Sequence, residues 1–265
     1  MTHSVARARE PIVCGIINAT PDSFYDGGKY PSIIEHALQM INDGADWLDV
    51  GGESTRPGAI AVEAQEEIDR VLPVIEAIVR NAPHIPISID TTKAYVAKYA
   101  RQAGATILND VRGFQDIAMQ EISALYPISI LMHSRGTPQS MQSQTQYENV
   151  VTDVQEWLKQ QSRLCKSTEI WLDPGIGFAK TAQQNLLILK HLDKFTSMPH
   201  PLLLGTSRKS FIGQQLQRPK PADRLFGSLA TVADGYHKGI RAFRVHDVKA
   251  TKDVLDMLVA IQHVE

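Results

Sequence analysis

The stretch Ile12-Val-Cys-Gly-Ile-Ile-Asn-Ala-Thr-Pro-Asp-Ser-Phe-Tyr-Asp-Gly-Gly28 begins as a short apolar run, halts at Asn18 and turns polar. An apolar run of this length between turn residues is the pattern of a strand buried on both faces, as in a parallel sheet. A carboxamide stands at its C-terminal end, and the loop that follows carries Thr20, Asp22, Ser23, Phe24 and Asp26. That arrangement repeats along the chain, so the strand ends are expected to form one site.

Working outward, apolar runs alternate with amphipathic ones to the C-terminus. Helices are expected over 33–43, 63–79, 93–103, 117–125, 147–165, 183–192 and 249–261, with a short helix after Ser210 and a longer one over 222–236. Strands are expected at 47–50, 85–89, 107–108, 128–132, 170–172, 202–204 and 242–245, and the polar segment 135–145 reads as a loop. Eight β-then-α units without a linker or a composition shift predict a closed (β/α)8 TIM barrel, α/β in class, in a single domain spanning 1–265. A doubly wound open sheet is the competing architecture.

The bulk numbers fit one large globular domain: 265 residues, 43% hydrophobic and 21% charged. A formal charge of −2 provides no basic field for nucleic acid or an anionic membrane. Two cysteines make no disulfide framework, and no apolar run is long enough to span a bilayer, so a cytoplasmic protein is expected.

Barrel enzymes place their sites at the C-terminal strand ends. Those ends carry Asn18, Asp49, Asp90, Asn109, Met132 with His133, Asp173, Arg208 with Lys209, and Arg244 with His246. Buried polar groups cost ~1–3 kcal/mol each when unpaired, so their gathering at one rim points to a ligand. Asp90, Asn109 and Asp173 suit the donor–acceptor edge of a nitrogen heterocycle, with Lys209 beside them, Phe178 as an aromatic face and Met132 with Ile130 as an apolar floor. The competing account of Asp90, Asn109 and Asp173 is helix N-capping, and of Phe178 and Met132 core packing.

Arg56, Arg208, Arg244 and His246 form a cationic group that implies an anionic ligand, phosphate first. Gly205-Thr-Ser-Arg-Lys-Ser210 opens a helix where barrels often bind phosphate. No Cys/His cluster has zinc spacing, whereas Mg²⁺ could be held by Asn18 together with substrate phosphates. The glycine pairs Gly27-Gly28 and Gly51-Gly52 read as hinges. With no Gly-x-Gly-x-x-Gly fingerprint, a bound NAD is disfavoured.

The chain resembles the dihydropteroate synthase family over essentially its whole length. The resemblance rests on Gly15–Phe24, Asp49–Gly58 (Asp-Val-Gly-Gly-Glu-Ser-Thr-Arg-Pro-Gly), Ser88–Thr91, Asn109–Val111, Gly136–Pro138, Leu172–Phe178, Gly205–Ser210 and Arg244–Val248. It implies a transferase of folate biosynthesis that joins 6-hydroxymethyl-7,8-dihydropterin diphosphate to 4-aminobenzoate and releases diphosphate. It further implies that Asp90, Asn109, Met132, Asp173, Phe178 and Lys209 hold the pterin, with Arg244 stacking on it. Asn18, Thr55, Arg244 and His246 would meet the diphosphate, Asn18 through Mg²⁺. Phe24, Thr55, Arg56, Pro57, Lys209 and Ser210 would form the pocket for the aminobenzoate, which sulfonamides mimic. Lys209, Arg244, His246 and Asp90 are the expected catalytic groups, and the first loop is expected to close over ligand.

The chain departs from the family pattern at Trp47, at His133-Ser134-Arg135 and at the polar stretch Asp234-Gly-Tyr-His-Lys238. The last lies on an outer helix, where the family's homodimer interface would form. A pterin-dependent methyltransferase shares the pocket but has no use for the first two loops, and a pterin-binding protein without catalysis would let them degrade.

Overall fold

The computed structural model describes residues 10–20, 33–56 and 58–264. Its strands are β1 (Ile12–Asn18), β2 (Trp47–Gly51), β3 (Ile87–Asp90), β4 (Ile107–Asp110), β5 (Ile128–Met132), β6 (Glu169–Asp173), β7 (Leu203–Leu204) and β8 (Ala242–Val245). All the ladders are parallel, running β6-β5-β4-β3-β2-β1-β8-β7, and a Leu172–Leu202 bridge joins the two ends. The sheet is therefore a closed (β/α)8 barrel, and the open doubly wound alternative falls.

Helices alternate with the strands: α1 (Ile33–Asn42), α2 (Ala64–Asn81), α3 (Ala94–Ala103), α4 (Ile117–Ser123) and α5 (Val150–Gln161), then α6 (Ala182–Lys190) and α7 (Leu192–Thr196) together between β6 and β7. Next come α8 (Ser210–Leu216), α9 (Leu225–His237) and, after β8, α10 (Val248–His263). The α6–α7 break was not expected from the sequence. The fifth helix starts later than its hydrophobic pattern suggested because Asn149 takes extended dihedrals and its carboxamide accepts from the N–H groups of Val151 and Thr152. α3 ends as expected at Gly104, whose φ of 115° is open to glycine.

Side chains alternate faces along a strand, so each short strand supplies two kinds of residue. One face packs against the helices, with Val13, Leu48, Val50, Ile89, Leu108, Leu131, Leu172 and Phe243 in one large core. The other face looks into the barrel, where Cys14, Trp47, Ile107, Ile130, Trp171, Leu203 and Ala242 form a separate apolar layer. Trp47 meets Trp171 edge-on here, with centroids 5.3 Å apart. Two residues further along the same inward faces come Asp49, Asn109, Met132, Asp173, Gly205 and Arg244. The barrel is thus plugged by hydrocarbon below and lined by polar groups above.

Candidate active site

Arg244 is the hub of the polar layer. Its Nε donates to Asp49 Oδ2 at 2.5 Å, and a terminal nitrogen donates to Asp90 Oδ2 at 2.7 Å. Asp49 also accepts from the Asn109 carboxamide at 3.2 Å, which joins β2, β4 and β8 across the barrel mouth. Burial works against the guanidinium charge, but Asp49 and Asp90 outweigh it and keep Arg244 protonated. Asp49 was read only as a strand end, not as a site residue. The alternation that put Asp90 and Asp173 on the inner face marks it equally well.

Asp90 is buried, and its Oδ1 has no hydrogen-bond partner among the described residues. Burial pushes its carboxyl up to about 7 against the pull of Arg244, with Asp49 adding to the rise. Asp173 is also raised by burial, opposed by Lys209, and its Oδ1 accepts the Gly175 N–H at 2.7 Å. Neither aspartate caps a helix, since Lys93 precedes α3 and Thr181 caps α6. Asn109 does not cap one either, because α4 is capped by Asp116.

Lys209 Nζ donates to the Ile176 carbonyl and lies 4.9 Å from the centre of the half-buried Phe178 ring. Burial lowers its ammonium to about 8, opposed by Asp173. A Cβ built on Gly205 would sit 3.7 Å from Asp173 Oδ2 and 3.8 Å from both Lys209 Nζ and Arg244 Cβ. The ends of β6 and β8 and the head of α8 therefore converge on one glycine, with the buried Met132 and Ile130 completing the wall.

The loop after β6 is held from behind by Lys180, which the sequence reading passed over. This buried ammonium reaches His133 Nδ1 at 2.9 Å, Gly175 O at 2.9 Å and Phe178 O at 3.0 Å. Burial depresses both Lys180 and His133 well below their usual ranges. Gly175 passes so close to His133 that a Cβ would lie 1.9 Å from the His133 carbonyl oxygen, and its φ of 67° independently favours glycine.

The cationic group is corrected in two members. Arg208 makes a two-pronged ion pair with Asp247, at 2.9 and 2.6 Å, so much of its charge is answered within the fold. His246 is not a cation: burial, with Arg244 and Arg208 nearby, pushes its imidazole down to about 3. Ser207 Oγ accepts the His246 backbone N–H at 3.1 Å and lies 3.0 Å from Nδ1. With the hydroxyl donating to Nδ1, the neutral ring carries its proton on Nε2 and presents it as a donor.

Thr55 is half-buried and Arg56 exposed on the loop after β2, and exposed Ser210 opens α8. Phe24 and Pro57 lie outside the described residues, as do Asp22, Gly27 and Gly28 on which the expected closure of the first loop rested. Asn18 ends β1 half-buried. Among the described residues no group of three or more His, Cys, Asp or Glu side chains could hold a metal ion.

Residues 14–246 match the family model described as pterin binding enzyme. A dihydropteroate synthase of Synechocystis sp. is 43% identical over 259 residues, covering 94% of this chain and 89% of that protein. The Bacillus subtilis dihydropteroate synthase is 44% identical over 260 residues, covering 94% and 88%. Among solved structures, the Xanthomonas albilineans dihydropteroate synthase with 4-aminobenzoic acid superposes with a TM-score of 0.89 at 38% identity, covering 97% of this chain and 95% of that one. The same organism's enzyme in complex with 7,8-dihydropteroate gives 0.85 at 36% identity, covering 97% and 96%. A Yersinia pestis dihydropteroate synthase in complex with a sulfonamide drug gives 0.88 at 38% identity, covering 96% and 95%.

Proposed function

The chain belongs to the pterin-binding enzymes and, within them, to the dihydropteroate synthases, and from that premise we propose how its residues divide the work. The reaction is a transfer in folate biosynthesis: 6-hydroxymethyl-7,8-dihydropterin diphosphate and 4-aminobenzoate give 7,8-dihydropteroate and diphosphate. The carbon–oxygen bond to the diphosphate breaks, the carbon–nitrogen bond to the arylamine forms, and the amine releases one proton. An electron-rich pterin lets the methylene carbon become cation-like as the leaving group departs. The enzyme has to hold the ring, stabilise the departing charge and aim the amine.

The unpartnered Asp90 Oδ1, buried next to Asn109 on the neighbouring strand, carries this assignment. A buried carboxylate oxygen without a donor is costly, and the N–H edge of a pterin supplies what it lacks. Lys209 donates to a ring acceptor, Phe178 and Met132 flank the ring, and Arg244 lies over it with one side turned to the diphosphate. His246 gives a neutral N–H to a phosphate oxygen, and Thr55 reaches the diphosphate as well. Thr55, Arg56, Lys209 and Ser210 are assigned to the 4-aminobenzoate subsite, at which sulfonamides compete, and the family resemblance adds Phe24 and Pro57 to it.

Mg²⁺ would be held by Asn18 alone on the protein side. A half-buried carboxamide at a strand end fits a hard ion that keeps water and substrate phosphate oxygens as its other ligands. When bound, it would supply neutralising charge to the diphosphate. We place the enzyme in the cytoplasm as a homodimer. No described helix is long and apolar enough to cross a membrane, and Phe226 on α9 (82% exposed) and Leu216 on α8 offer apolar surface to a second copy. A sedimentation experiment showing only monomer at tens of micromolar would refute the dimer.

The test is diphosphate release from the two substrates, with and without a chelator. Arg244→Ala is expected to lower kcat by ~10²-fold or more, as loss of a group aimed at developing charge does. Wild-type turnover in that variant would remove Arg244 from the mechanism, and turnover unaffected by chelation would remove Mg²⁺.

A further inference from the structure

Behind the second loop lies an ionic cluster that plays no part in the scheme above. Glu53, just past β2, accepts at one carboxylate oxygen both the Lys93 ammonium at 2.6 Å and the Val62 backbone N–H at 2.8 Å. Lys93, the residue preceding α3, also reaches Glu67 on α2 at 2.5 Å. Arg70, about one turn further along α2, donates to the Gly52 carbonyl at 2.8 Å. The loop thus leaves β2 at Glu53 and returns at Val62 to the same carboxylate oxygen. Its root is pressed on α2, where a Cβ on Gly52 would lie 2.8 Å from Val71 and 2.9 Å from the Glu67 side chain. Its far side is tied to the loop after β5 by the Gly58 N–H to the Pro138 carbonyl, at 2.9 Å.

Stability alone is a poor account of this arrangement. Glu67 is fully buried, and its Oε1 has no partner among the described residues. A buried ionic group with an unanswered oxygen is no more stabilising than well-packed hydrocarbon of the same volume, and often less so. What it adds is a unique geometry. Lys93 follows Asp90 by three positions, so the bridge sets the loop bearing Thr55 and Arg56 against the strand end that bears Asp90.

We propose that the Glu53–Lys93–Glu67 bridge is a positioning device for the aminobenzoate subsite, fixing Thr55 and Arg56 over the arylamine without touching either substrate. The inference rests on the assignment of Thr55 and Arg56 to that subsite. It separates the two substrates: the pterin side, built on the barrel strands, stands without the bridge, and the aminobenzoate side does not.

Lys93→Met, Lys93→Arg and Glu53→Gln test it in the intact enzyme. Lys93→Met is expected to raise KM for 4-aminobenzoate tenfold or more at saturating pterin diphosphate. The calorimetric Kd for the pterin alcohol, 6-hydroxymethyl-7,8-dihydropterin, which lacks the diphosphate that Thr55 meets, should stay within twofold, and Lys93→Arg should bring the aminobenzoate KM back to within about threefold of the starting value. A folded Lys93→Met enzyme with an unmoved aminobenzoate KM overturns the inference, as does an equal loss for aminobenzoate and the pterin alcohol. Should Lys93→Met not fold, Glu53→Gln, which leaves the Lys93–Glu67 pair in place, carries the same selective expectation and the same refutation. Failure of the unmodified enzyme to release diphosphate would sink the site assignment and the inference together, whereas normal turnover with a non-selective variant sinks the inference alone.

Discussion

Asp90 bonds to Arg244, Lys209 feels the charge of the same guanidinium, and burial drives the two in opposite senses. Asp90 is raised to about 7 and Lys209 lowered to about 8, so their titrations bracket neutrality. The pterin's N–H edge needs the ionised carboxylate, and its ring acceptor needs the protonated amine. kcat/KM for the pterin diphosphate should therefore rise as pH increases through about 7 and fall as it increases through about 8, giving a narrow bell. In Asp90→Asn the acid limb should disappear from the residual activity while the alkaline limb remains. An acid limb that persists unchanged in that variant would take Asp90 out of the profile. His246 contributes no limb near neutrality, because its imidazole is already neutral well below this range. At this scale the sequence showed which residues reach the mouth but not their charge states, which depend on desolvation and on partners distant in the chain.

Among the elements, caps decide where helices begin, and caps are local enough to test singly. Asn149 answers two N–H groups at the head of α5, and Thr181 with Gln184 makes a reciprocal box at the head of α6. Asn149→Ala should cost about 1 kcal/mol of stability by denaturant titration, with KM for both substrates unchanged because α5 lies outside the barrel mouth. A cost below a few tenths would mean that packing of Val150, Val151, Val154 and Leu158 already sets the helix start. The polar stretch at the end of α9 is likewise explained locally. Lys238 pairs with Asp234 at 2.7 Å and caps the Leu189 carbonyl, while buried Tyr236 donates to Gln262 on α10. Asp234, Tyr236 and Lys238 thus find polar partners within the subunit. The hydrophobic periodicity that located most helices could not show this, since it reports which face is buried and not which polar atoms meet.

For the whole molecule, the barrel is not equally strong around its circumference. β1 and β2 share a register from Cys14–Trp47 to Asn18–Gly51, whereas β7 pairs with β8 only at Leu203 and Leu204 and meets β6 through one bridge. Hydrogen exchange should therefore be at least tenfold faster at the amides of 202–204 than at those of 13–17, with the β6–β7 seam opening first. Equal protection around the ring would show that the Trp47–Trp171 plug, and not the ladders, sets its cooperativity.

Much of this protein was written in its linear order. Eight apolar runs, most of them ending in or beside a polar residue and followed by an amphipathic stretch, specify parallel strands with covered faces. Alternation along each run then delivers Asp90, Asn109, Asp173 and Arg244 to one rim. Which charges remain available at that rim was settled only when the chain closed. Arg244 finds Asp49 and Asp90 across separations of 195 and 154 residues, and Arg208 is answered by Asp247 across 39. Lys180, an unremarkable lysine by its neighbours in sequence, becomes the buried clamp of the β6 loop. Local patterns encode direction and burial, whereas ion pairing and desolvation depend on distances that exist only in the folded barrel.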